Sequence, residues 1–282
     1  MGFLYHIRVC NRHDLTGLIP WFIGTQHVGW LSPVVAAQCA LHPELFHISD
    51  QGVALSETLT NPAQRTAQML PFLKGLFDQG LLTAWRDEPY AVTDNFNDPP
   101  LMTVDRGAAS ALGIRSYGVH VNGYVRQDDG LYLWIGTRAE DRDVAPGMLD
   151  NMVAGGQPAG LSLMDNLQKE CAEEANLAPA LAVQARPVGI VRYTLSVPQG
   201  LRRDTLFLYD LEMPPEIIPV NTDGEVASFA LLPALEVAEI VRSQNGFKFN
   251  CNLVIIDFLV RHGLLGPEEA DYEAIVMGLR QE

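Results

Sequence analysis

Between Ala154 and Leu177 the chain reads AGGQPAGLSLMDNLQKECAEEANL, a glycine pair followed by a helix with two unlike sides. Ser162 stands where an N-cap belongs, and Asp165 three residues on completes a weak capping box. Met164, Leu167, Cys171 and Ala175 recur at helical spacing and predict a buried stripe. Asn176 is suited to end the helix, because asparagine tolerates the left-handed conformation. Glu170, Glu173 and Glu174, three and four residues apart, fall on one narrow patch. Like charges at these spacings cost roughly a few tenths of a kcal/mol per pair, and the macrodipole near the helix C-terminus disfavours them further. Local stability would not choose this arrangement, whereas a divalent cation would relieve it. A solvated acidic face is the ordinary alternative.

The surrounding pattern places this helix. Tyr117–Val125 alternates as a strand, Asp128-Asp129-Gly130 is a hairpin turn, and Leu131–Gly136 returns. Val188–Leu195, Asp204–Leu211 and Glu225–Leu231 read as further strands, and Pro233–Gln244 and Asn252–His262 as helices. Strands followed by helices that cover them predict an α/β sandwich. Upstream, the segments Leu4–Asn11 and Thr16–Phe22 are expected to open with a helix, and Pro33–Ala40 is helical. HISDQGVALS is a hairpin, and Pro62–Gln79 is a helix with Met69, Leu70, Leu73, Leu76 and Phe77 on one face. Tyr90 and Val92 are extended, and Arg106–Gly113 is weakly helical. The pattern changes near residue 113, giving an expected division into 1–113 and 114–282.

With 282 residues, 48% of them apolar and 19% charged, the chain can bury a large core. Its net charge of −15 repels phosphate backbones, which argues against nucleic acid as a partner. Cys10, Cys39, Cys171 and Cys251 have neither disulfide-scaffold nor zinc spacing. The opening MGFLYHIRVCNRHD lacks the apolar run of a signal peptide, and no stretch approaches the roughly 20 apolar residues that span a bilayer. These features lead to the expectation of a cytoplasmic protein without a membrane partner.

The glycine pair and helix together resemble the Nudix hydrolase box, Gly-x5-Glu-x7-Arg-Glu-U-x-Glu-Glu-x-Gly-U, where U is bulky and apolar. Gly155 takes the first glycine, Glu170, Glu173 and Glu174 the last three glutamates, and Cys171 and Leu177 the apolar places. Leu161 departs from the first glutamate, Lys169 from the arginine and Asn176 from the second glycine. PGMLDNMVAGG (146–156), DGEVASFALL (223–232) and NLVIIDFLVRHG (252–263) are similar to a Nudix subgroup with an extra N-terminal domain, related to the Nudix part beside fungal thiamine pyrophosphokinase. The resemblance implies a Nudix α/β/α sandwich with a mixed sheet, preceded by a smaller α+β domain. It also implies Mg²⁺, replaceable by Mn²⁺, held by Gly155, Glu170, Glu173 and Glu174, and hydrolysis of a small diphosphate. Thiamine diphosphate or its oxidised forms are the first expectation. A nucleoside diphosphate derivative and a catalytically silent ligand sensor are the alternatives.

The remaining roles are read more coarsely. Glu225, or one of the box glutamates, is the expected general base. Arg138, Arg202, Arg203 and Lys248 are candidates for phosphate contact, Arg138 foremost. Asn151 and Asp150 lie in a loop that either touches substrate or stabilises a turn. Trp21, Trp30, Trp85 and Phe247 are candidates for stacking on a ring. The first 113 residues are candidates for closing over substrate, forming a homodimer or binding a partner.

Overall fold

The computed structural model describes residues 1–281. The chain begins with helix α1 (Phe3–Cys10), strands β1 (Ile19–Ile23) and β2 (Gln26–Leu31), and helix α2 (Pro33–Ala40). Strands β3 (Phe46–Ser49) and β4 (Gly52–Leu55), the long helix α3 (Pro62–Asp78) and the ribbon β5 (Pro89–Val92) and β6 (Met102–Asp105) follow. The first four strands form a sheet in the order β2-β1-β4-β3. Thr16–Phe22, expected to contribute to an opening helix, instead leads into β1. Its Ile19-Pro20-Trp21-Phe22-Ile23 run is β-branched and aromatic, and Pro20 disfavours helical backbone at the residue before it. On α3, Met69, Leu73 and Leu76 are buried as the periodicity requires, but Leu70 is exposed and Phe72 takes the inward place.

The second half carries β7 (Arg115–Gln127), β8 (Gly130–Arg138), the short β9 (Leu149–Asp150) and β10 (Val153–Gly156). Helices α4 (Leu163–Ala175) and α5 (Pro179–Ala182) come next. They are followed by β11 (Arg186–Val197), β12 (Gly200–Glu212), β13 (Val226–Pro233), α6 (Ala234–Ser243), α7 (Cys251–Arg261) and α8 (Tyr272–Gly278). The sheet runs β11-β12-β7-β8-β13, with β10 paired to β7 and β9 to β8. It is mixed, since β7 lies parallel to β12 and antiparallel to β8 and β10.

Side-chain alternation divides this sheet into two faces. Val119 and Val121 of β7 pack with Leu167, Cys171 and Ala175 of α4. Leu206 and Leu208 of β12 pack on the other face with Val254, Phe258 and the rest of the α7 core. The result is the expected α/β/α sandwich, with an α+β assembly before it. Trp21 to Ile114 contribute a separate core cluster. Helix α1 does not belong to that cluster: Phe3, Leu4 and Ile7 join the α7 layer, and the His6 ring lies 2.6 Å from the Val241 carbonyl. Among the described residues no helix is long and apolar enough to cross a membrane.

Candidate active site

Helix α4 forms as its local sequence dictates. The Ser162 side chain accepts from the Asp165 amide, and Asn176 closes the helix at φ 53°, ψ 36°. The apolar stripe anchors one side of the helix to β7 and β10, which sets the direction of the other.

Two of the three box glutamates turn inward. Glu170 and Glu174 are each only 8% exposed. The Ala154 amide of β10 donates to Glu174 Oε2 at 2.8 Å. Burial, reinforced by the charges of Glu170, Asp150 and Glu225, pushes Glu174 up to about 8, against the pull of the Ala154 amide. Glu170 is also raised, by burial first and then by Glu173 and Glu88, while Lys169 opposes. Glu173 turns outward and half exposed, with Lys169 Nζ at 2.8 Å from its Oε2 and 3.1 Å from Glu170 Oε1. The Lys169 ammonium thus bridges Glu170 and the outward Glu173, while Glu174 is held by the Ala154 amide.

Gly155 explains why β10 carries glycines at this point. A Cβ there would overlap the Glu170 side chain, coming within 2.6 Å of Oε2. Its φ is not positive, so alanine meets no backbone strain. Gly155→Ala is therefore expected to displace the Glu170 carboxylate with little change in melting temperature. It should weaken Mn²⁺ binding by about tenfold or more, as titration calorimetry on the parent and the variant would check.

A family model described as a domain of unknown function (DUF4743) matches residues 2–116. Across nearly the whole chain, the sequence is similar to two proteins of Arabidopsis thaliana. It is 41% identical to Nudix hydrolase 24, chloroplastic, over 99% of this chain and 78% of the relative. It is 41% identical to Nudix hydrolase 20, chloroplastic, with the same coverage. The chain belongs to the Nudix hydrolase family. A solved structure from Deinococcus radiodurans, DR0079, is 22% identical and has a TM-score of 0.44, covering 60% of this chain and 97% of that one. The reaction class is that of a Nudix-type pyrophosphohydrolase, a class that works with divalent metals. The expectation of a cytoplasmic protein is corrected by the same comparison, since both plant relatives are named as chloroplastic. Cellular addresses reside in targeting segments that the composition of a folded hydrolase does not encode.

The other predicted site residues of this Nudix hydrolase separate into three places. Glu225 precedes β13, where Arg142 reaches its Oε2 at 2.6 Å, and its charge is felt by Glu174. Arg138, Asn151 and Lys248 meet below the box around Asp150. Arg138 NH1 lies 2.6 Å and Lys248 Nζ 3.3 Å from Asp150 Oδ2. Cys251 Sγ lies 2.6 Å from Oδ1, to which the Asn151 amide also donates. Asn151 Oδ1 faces the His120 ring at 2.8 Å. Burial would raise Asp150, but Lys248, His120, the Cys251 thiol and Arg138 outweigh it and hold it at about 2. His120, Asp150 and Cys251 are the one trio of metal-ligand type found within 4.8 Å among the described residues. Two cations already neutralise its carboxylate, so the trio is a buried polar support. Arg203 lines a separate cleft with Trp30, Arg115 and Arg192, and its NH1 is 3.4 Å from the Gly113 carbonyl. Of the aromatic candidates, Trp21 and Phe247 are core residues, and Trp85 lies under the Lys74 ammonium.

Sequence reasoning passed over His120 and Cys251, and also Tyr90 and Arg106. The first had a visible signal: His120 and Asn122 interrupt a strand buried on both faces. Arg106 had none, because its relation to the box exists only in the folded chain.

The donors suit a hard divalent ion. Oxygen ligands are what Mg²⁺ takes: Glu174 is buried with no ion pair among the described residues, and Glu170 has only the half-exposed Lys169. Glu170 and Glu174 would hold it from the helix, Glu173 from its exposed edge, and Gly155 leaves the room.

Proposed function

We propose that this Nudix hydrolase cleaves the phosphoanhydride of a small organic diphosphate in the presence of Mg²⁺, with thiamine diphosphate or its oxidised derivatives as substrate. The observation that carries the reading is the pair of buried carboxylates Glu170 and Glu174 beside Gly155, each with a raised proton affinity. The organic half rests on the resemblance of residues 146–156, 223–232 and 252–263 to the thiamine-linked Nudix subgroup. A cationic thiazolium also suits a chain of net charge −15.

Adjacent phosphate charges repel a nucleophile; Gly155, Glu170, Glu173 and Glu174 would hold a divalent ion, which when bound would supply charge neutralisation and a more acidic water. Glu225 is assigned as proton acceptor; it is partly exposed and within the field of Glu174. Arg138 and Lys248, both paired with Asp150, are assigned to the phosphate side. Asn151 is assigned to the same loop, and Arg203 to substrate contact from the separate cleft it lines with Trp30. Residues 1–113 are taken as an accessory unit and 114–282 as the hydrolase unit, with helix α1 lent to the core of the latter. The separate core from Trp21 to Ile114 and the family match to 2–116 support that division.

Release of monophosphate is to be measured with Mg²⁺ across thiamine diphosphate, its oxidised forms, a dinucleotide cofactor and a nucleotide sugar. The thiamine-type compounds should give the highest kcat/KM. A nucleotide derivative turned over about tenfold better or more would replace that substrate class. Tight binding without turnover in either Mg²⁺ or Mn²⁺ would make the protein a sensor.

A further inference from the structure

The ribbon β5–β6, far from the box in sequence, lies against it in space. Gly156 is the neighbour of Gly155, and a Cβ on Gly156 would overlap the Tyr90 hydroxyl and lie 3.1 Å from Arg106 Cζ and 3.2 Å from its NH1. The Ala159 amide, just after β10, donates to the Pro89 carbonyl at 2.7 Å. Glu170 and Glu88 both lie within electrostatic reach of Arg106 across the same seam. Arg202 on β12 lies near enough to feel both Arg106 and Tyr90.

We infer that Arg106, backed by Tyr90, is a binding residue for the phosphates of the substrate, so that the N-terminal unit completes the active site of the hydrolase. This rests on the reading of the box as a diphosphate site. The Arg106 side chain is 47% exposed, and among the described residues its guanidinium makes one hydrogen bond, from NH1 to Glu88 Oε2 at 2.8 Å. Five N–H donors in a planar fork leave an edge for two phosphate oxygens. The mount is rigid. Arg106 opens a 3-10 turn capped by the buried Asp105, whose Oδ1 accepts from the Gly107 amide at 2.7 Å. The Arg106 amide donates to the Glu88 carbonyl at 2.9 Å. Such pre-organisation spares the ordering cost of a long side chain. An interface arginine with a merely structural role would instead matter only through its pair with Glu88.

Parent protein, Arg106→Ala, Arg106→Lys, Tyr90→Phe and Glu88→Gln are to be compared in two measurements. One is calorimetric binding of inorganic pyrophosphate in Mg²⁺, and the other is kcat and KM on the best diphosphate of the panel. Arg106→Ala should weaken pyrophosphate binding and lower kcat/KM by about 10- to 100-fold, mainly through KM, with Mn²⁺ affinity unchanged within about twofold. Lysine should restore part of the loss, because it returns charge without the fork. Glu88→Gln should cost less than Arg106→Ala. Equal losses in Glu88→Gln and Arg106→Ala, or an Arg106→Ala variant with parental kcat/KM and pyrophosphate affinity, overturns the role of Arg106 alone. If the folded parent neither binds pyrophosphate nor hydrolyses any diphosphate, this inference and the diphosphate reading both fall.

Discussion

Glu174→Gln is expected to lower kcat/KM by about 10²–10³-fold while leaving the metal-free protein at least as stable as the parent. The first number follows from several kcal/mol of charge stabilisation at about 1.4 kcal/mol per tenfold. The second follows from the site itself. Glu174 is buried, its proton affinity is raised to about 8, and Glu170, Asp150 and Glu225 oppose its charge. Glutamine keeps an oxygen to accept from the Ala154 amide and removes the charge. Because the folded protein holds a proton that the unfolded chain releases, the contribution of Glu174 to stability is complete below the ordinary carboxylate range. It declines as pH rises through about 8. The metal-free parent should therefore melt lower at pH 8.5 than at pH 6, and part of that slope should vanish in Glu174→Gln. Mg²⁺ needs the ionised carboxylate, so the stabilisation it gives the parent should grow over the same interval. Melting curves at both pH values, with and without Mg²⁺, test this alongside turnover. A variant with parental activity would remove Glu174 from the machinery, and an unchanged pH slope would remove the elevated proton affinity.

Asp150→Ala should be among the most destabilising single substitutions in the molecule, by about 3–5 kcal/mol. Its carboxylate is 5% exposed and takes Arg138, Lys248, the Cys251 thiol and the Asn151 amide. Without it, two cations remain buried with no counter-charge, next to a His120 that burial and Lys248 already keep neutral by lowering it to about 4. Asp150→Asn preserves the shape but not the charge and should lose less. Urea unfolding decides the matter: the midpoint should fall with little change in slope. A loss below about 1 kcal/mol would mean that water or a rearranged loop replaces the carboxylate.

The pair of predictions separates two kinds of acidic residue that look alike in the sequence. Asp150 is held ionised by cations from β8 and from the segment before α7, and its value is structural. Glu174 faces other acids, and burial raises its proton affinity. Nothing in the neighbouring letters distinguishes them, because the deciding cation Lys248 is 98 residues from Asp150.

Much of the box helix was nevertheless readable. Ser162 caps it and Asn176 ends it in the left-handed conformation through contacts within a few residues, and the helical spacing of Leu167 and Cys171 marks the face that packs on β7. The Asp128-Asp129 hairpin and the alternation of β7 were legible for the same reason. Thr16–Phe22 misled because a short apolar run has no period long enough to separate strand from helix, and pairing with β2 and β4 decided it.

Local order along this chain was determined by the sequence alone: where α4 starts and stops, which of its faces is apolar, and that three glutamates share one edge. Only the tertiary structure decided that Glu170 and Glu174 are buried against β10, that Asp150 gathers two cations, and that Arg106 arrives beside Gly156 from another part of the chain. Capping and periodicity act over one or two turns, where the backbone permits few geometries. Charge meeting charge across distant segments depends on how every intervening strand crosses and packs.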